Sequence, residues 1–242
     1  MGNINISGMG NIQADGSIYE SVHISGSGKV SGTLNCRSIG VSGSGKFLGD
    51  VFCDGKTHVS GVADFEGGTD CGELHVSGVA RFDKSLKCRN MHISGVCKVE
   101  GDIDGVDMGI SGVCKTGSNM SGENVRISGA VNIGGLLNAE NIDIKLNNSN
   151  SYVGEIGCTT LRVIPQGNAG GVFKIFGMTF GNSGSLTCTT IEGDDILLCN
   201  TIADTVRGKS VRIGPGCEIK RVEYSESIEF DGESKVREQI KI

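Results

Sequence analysis

Aliphatic residues return along the chain at a fixed beat. Ile24, Val41, Val59, Val76, Ile93, Ile110, Ile127 and Ile144 stand 17 or 18 residues apart, and all but the last are followed by a Ser-Gly pair. Counting the serine of each pair as position 1 of a repeat, these aliphatics fill position 17. Position 15 holds Ile39, Leu74, Met91, Met108, Val125 and Ile142; position 6 holds Val30, Phe47, Phe65, Phe82, Val99 and Ile133; position 10 holds Leu34, Val51, Leu86, Ile103, Met120 and Leu137. The apolar or small positions are 4, 6, 8, 10 and 12, then 15 and 17. This is alternation with a period of two, broken by one slip per repeat. A period of two is strand geometry, whereas a helix needs spacings near 3.6.

A rung of three short strands cannot bury its own apolar side, so each rung must stack on the next in parallel register, about 4.8 Å away. The pattern predicts an all-β fold: a single-stranded parallel β-helix of about 17–18 residues per rung, one continuous domain over 1–242. Regular rungs are expected over 1–144, irregular ones over 145–196, and regular ones again over 197–242. The segment 145–163 carries about two extra residues, and 164–196 fits two rungs with irregular corners. Ile213 and Phe230 fall at position 17 of the last repeats, giving roughly thirteen to fourteen rungs in all. Small residues at positions 4 and 8 suit the narrow bends of the coil, and glycine there is expected to supply positive φ.

Composition changes this picture little and excludes some functions. Forty glycines, two prolines, no tryptophan and 5% aromatics among 242 residues fit many tight turns around a thin core. A formal charge of −6 gives no electrostatic reason to expect a nucleic-acid partner. No apolar run approaches the roughly 18 residues needed to span a bilayer. The start, MGNINISGMG, has neither the basic nor the apolar part of a secretory signal, and Ile6 stands where myristoylation wants Ser or Thr. A cytoplasmic location is expected.

Candidate chemistry is read against the repeat. The stretch HVSGVARF, 75–82, places a histidine two residues before Ser77, but HVSGVADF and HISGVCKV stand one repeat away on either side. A nucleophile needs one unique base and one orienting acid. The repeated serine is better placed to turn a corner with its hydroxyl on the local backbone, so no catalytic residue is assigned. His58, His75 and His92 share position 16 on consecutive rungs and should form an outward column, which offers imidazoles for zinc or copper or is simply a solvated ladder. Cys36, Cys53, Cys71 and Cys88 share position 12, where later rungs have Gly105, Gly122 and Ala139. That exchange marks a small, buried place suited to reduced thiols. No CxxC pair supports structural zinc, and no cofactor is implied. Asp194 and Asp195 in GDDI are the residues on which a β-helical carbohydrate-active enzyme or polysaccharide-binding protein would rest.

The strings GKVSGTLNC (28–36), GKFLGDVFC (45–53), CKVEGDIDG (97–105) and VNIGGLLNA (131–139), each followed by a paired aliphatic such as VRI or IDI, resemble the bactofilins, bacterial polymer-forming cytoskeletal proteins. The likeness covers 1–144 well and 197–242 moderately. It implies a right-handed β-helix that assembles end to end into filaments without nucleotide, in the cytoplasm or at the membrane periphery, scaffolding envelope-associated partners. The residues point the same way, because an uncapped end rung offers unpaired N–H and C=O groups to another strand. Ile4 and Ile6 in NINIS and Ile240 and Ile242 in REQIKI are the expected end faces.

Overall fold

The computed structural model describes residues 2–166, 173–175, 178–180, 184–231 and 233–242, the two short strands at 173–175 and 178–180 by their backbone only. Parallel strands stack as a β-solenoid of about 13 turns, with no helix among the described residues. Two compact units, Met1–Ser118 and Asn119–Ile242, are described in turn.

In the first unit each rung is a short strand, a bend, and a longer strand that is broken by one slip. Strand Ser44–Phe47 lies between Ser27–Ser31 and Val62–Phe65, and strand Val51–Val59 lies between Leu34–Val41 and Thr69–Val76. Cys53 pairs with Cys36 and Cys71, but Lys56 then pairs with Ser38 and Glu73. The extra residue of this 18-residue rung is therefore absorbed at Asp54–Gly55, before position 15, where the alternation predicts the slip. Inward residues at positions 4, 6, 10, 12, 15 and 17 are buried, among them Phe47, Phe65 and Phe82 at position 6. Their rings stack with centroids 4.7 Å apart and planes within 7° of parallel. Each such pair adds about 1 kcal/mol beyond the area it buries.

The Ser-Gly corners are held differently from the expectation. The amides of Ser77 and Gly78 both donate to the carbonyl of Val59, and that of Val79 donates to Gly61; the same trio recurs at Ser42, Ser60, Ser94 and Ser111. Backbone bonds between rungs thus close the corner, and the Ser60 hydroxyl lies instead 3.1 Å from His58 Nε2. Glycine is needed here for close approach, not for its torsion. A Cβ on Gly26, Gly43, Gly61, Gly78, Gly95 or Gly112 would sit 2.0–2.1 Å from the carbonyl oxygen of the glycine one rung back. Among the described glycines only Gly16, Gly32 and Gly216 have positive φ, so the expectation of left-handed corners holds at position 8 only for Gly32.

The second unit has less even rungs. Ile127 pairs with Ile144 and Ile144 with Val163, the latter nineteen residues on, which accommodates the two extra residues read from the sequence. Two expectations are corrected beyond this point. Strand Ser151–Pro165 pairs directly with Leu186–Leu198, Leu161 facing Ile196, so 164–196 adds one rung rather than two. Phe173–Ile175 and Met178–Phe180 pair with each other, antiparallel, and not with the ladder. Leu198 then pairs with Ile213, fifteen residues on instead of seventeen. That short rung turns on the two residues Cys199 and Asn200 alone, and Asn200 takes the left-handed φ of 47° that asparagine tolerates better than most residues. Seventeen-residue spacing returns from Ile213 to Phe230.

Candidate functional site

Alternation sends every second side chain outward, and stacking turns each outward position into a column. His58, His75 and His92 form the expected column, paired in register on consecutive rungs. Their ring centroids lie 6.3 and 5.8 Å apart, with the rings tilted against one another. The space over the next rung is filled by imidazole: a Cβ on Gly40 would lie 2.7 Å from His23 Nδ1, and one on Gly109 3.0 Å from His92 Nδ1. His75 approaches Glu73 at 3.8 Å, while the buried Nδ1 of His58 has no hydrogen-bond partner. Burial, then Lys56 and His92, hold the His75 imidazole below its ordinary pKa of 6.5, which favours the neutral form of that ring. No group of three or more His, Cys, Asp or Glu side chains among the described residues is placed to hold a metal ion.

The cysteine column is buried as expected and forms the floor of an open groove. Cys36, Cys53, Cys71 and Cys88 face one another rung by rung, and all are free thiols. The groove measures about 710 Å³ and is walled by the outward residues on either side of the column, including Phe52, Asp54, Asp70, Lys87, Arg89 and Asp104. The hydrogen bond from Cys36 favours the Cys53 thiolate more than burial opposes it, with help from the Thr57 hydroxyl and the Gly55 amide. The Cys53 thiol is thereby lowered to about 7. Its partner Cys36 is correspondingly pushed up, as is Cys71 beside Cys88. In the second unit burial is the main cause that pushes Cys199 and Cys217 up to about 12. The sequence marks the column but not the groove, because concavity leaves no trace in residue type; the only signal is that each cysteine has a charged neighbour at position 11 or 13.

Asp194 and Asp195 are each engaged by a cation. Asp194 receives a bond from Lys209 at 2.8 Å and Asp195 one from Arg212 at 3.3 Å, so each carboxylate is tied to a different cation one rung on. They belong to a wider ion ladder in which Arg207 bridges Glu192 and Glu223, and Arg221 also reaches Glu223 at 2.7 Å. The Arg207 hydrogen bond holds the Glu223 carboxyl below the usual glutamate range. Glycoside hydrolysis asks for two carboxyls in different roles across one bond, whereas here each carboxylate is bonded to its own cation.

The expected end residues fall into two kinds. Ile4 and Ile6 point inward, pair with Val22 and Ile24, and are 6% and 7% exposed. Ile240 is half-buried opposite Glu223, outside the inward column, while Ile242 is 63% exposed. Phe230 was not among the expected end residues. It continues the position-17 column over Ile213, yet it is 43% exposed, because strand Lys235–Lys241 pairs only with residues 218–224. Strands Gly2–Ile6 and Met9–Gln13 are likewise paired on one side only among the described residues. No helix among the described residues is long and apolar enough to cross a membrane.

Two curated relatives come from Bacillus subtilis (strain 168). The chain is 39% identical over 102 residues to the uncharacterized protein YhbF and 39% identical over 99 residues to the uncharacterized protein YhbE. Each match covers 41% of this chain and 40% of the relative, so the chain spans well under half of the length of either. No family model matches the chain, and no solved structure matches it.

Proposed function

We propose that this protein is a structural, self-assembling β-helical scaffold whose rungs continue from copy to copy, forming filaments without nucleotide. The observation that carries the reading is the pair of half-paired rung edges. At one edge strands Gly2–Ile6 and Met9–Gln13 are paired on one side only among the described residues, and Met9 is 93% exposed; at the other, Phe230 and Ile242 stand uncovered beside strand Lys235–Lys241. A parallel strand edge with apolar neighbours templates another strand. A contact between unlike ends does not close on itself and runs on as a filament. The resemblance of the repeat to bactofilins points to the same behaviour, and with it to a cytoplasmic or membrane-peripheral scaffold with envelope-associated partners. No catalytic role is included in this reading.

The test is negative-stain electron microscopy of the purified chain, without nucleotide or divalent cation. Filaments are expected that lengthen with protein concentration. A monodisperse population of single molecules at all concentrations would remove the proposal.

A further inference from the structure

We propose that the groove thiols Cys36, Cys53, Cys71 and Cys88 bind soft monovalent metal cations, copper(I) or silver(I), each held in line between two sulfurs of adjacent rungs. The geometry carries the argument. In-register parallel strands repeat every 4.7–4.9 Å, and two metal–sulfur bonds of about 2.3 Å laid end to end span about 4.6 Å. A ladder of stacked cysteines therefore offers the spacing that a linear, two-coordinate ion requires. Thiolate sulfur is also the donor that selects copper(I). Ions that need three or four converging donors find no such cluster among the described residues, so the site discriminates by coordination number.

The column divides into two separate pairs of neighbours, Cys36 with Cys53 and Cys71 with Cys88, each in register on adjacent rungs. Each pair accepts one ion: two S–H bonds break, two metal–sulfur bonds form, two protons leave to solvent, and a bis-thiolate complex of charge −1 remains. No electron is transferred. Lys87 and Arg89 in the groove wall offset that charge, and Asp54, Asp70 and Asp104 draw hydrated cations toward the opening. Proton release makes uptake stronger as pH rises. Cys97 and Cys114 also stack in register, but they lie inside the rung, fully buried and away from the groove.

Silver(I) is the probe, since it binds as copper(I) does without redox chemistry. The reduced full-length chain is titrated with silver nitrate and examined by native mass spectrometry, with proton release followed in parallel. Two ions per chain are expected, with about two protons released for each. Cys53→Ala with Cys71→Ala removes one sulfur from each pair and should abolish both. This variant is expected to fold, because Ala139 already fills the same column. Cys97→Ala with Cys114→Ala should retain both ions. Failure of the wild type to take up silver, or uptake unchanged in the Cys53/Cys71 variant, would overturn the proposal.

Discussion

Gly8 and Gly78 hold the same place in the repeat, yet their surroundings differ in one respect. A Cβ on Gly78 would lie 2.1 Å from the carbonyl oxygen of Gly61, whereas one on Gly8 meets nothing within 4 Å. The obstacle at Gly78 is backbone, fixed by hydrogen bonds in the rungs on both sides, so it cannot swing aside as a side chain would. Gly78→Ala should therefore cost about 3 kcal/mol, the upper part of the range for overpacking. Gly8→Ala should change stability by no more than about 0.5 kcal/mol. Urea-denaturation midpoints of the two variants check this. Equal midpoints would mean that the corner glycines are not set by contact between rungs. The histidines obey the same local logic, since His23 and His92 lean into space that glycine leaves open at the next rung.

At the scale of the element, each ladder repeats one contact. The stacked rings of Phe47, Phe65 and Phe82 do this in the core, and Arg207 with Glu192 and Glu223 does it on the surface. Glu223 has a folded-state pKa below its ordinary 4.5, chiefly through the Arg207 hydrogen bond. Its contribution to stability is thus fully present above about pH 4.5 and is lost as pH falls through the lower, folded-state value. Glu223→Gln should lower the thermal midpoint near pH 6, and the gap from wild type should close by about pH 3. A gap independent of pH would contradict this role.

The core side of these elements was legible in the sequence. Positions 6, 10, 15 and 17 must alternate to be buried, and the slip at Asp54–Gly55 follows from the single extra residue before Thr57. Other features were hidden for physical reasons. The fifteen-residue rung depends on Asn200 taking a left-handed torsion, which composition does not announce. The departure of Phe173–Ile175 and Met178–Phe180 from the ladder is hidden because antiparallel strands share the ladder's period of two. The ion ladder joins residues fifteen to seventeen apart, because the rungs that carry it are shorter than the repeat over part of their length. The thiol groove depends on how three sides of a rung meet, which no single repeat encodes.

At the scale of the whole molecule, the same stacking rule that joins neighbouring rungs applies at the outermost ones. Met9–Gln13 is paired on one side only among the described residues, and Phe230 and Ile242 are 43% and 63% exposed. Ile242→Arg, placed on an exposed side chain, should disfavour assembly through desolvation of the added charge while leaving the rungs beneath intact. Gly8 gives the sharper probe. Within the chain nothing within 4 Å opposes a Cβ there, but at Gly26, Gly43, Gly61, Gly78, Gly95 and Gly112 a Cβ meets the carbonyl of the rung before it. If another copy supplies a rung beneath Gly8, that carbonyl is present only in the assembly. Sedimentation velocity of Gly8→Ala beside wild type, with thermal midpoints for both, is therefore the most direct test. Continuation of the ladder between copies predicts unchanged midpoints and a shift from large concentration-dependent species to single chains; assembly of Gly8→Ala indistinguishable from wild type would contradict it.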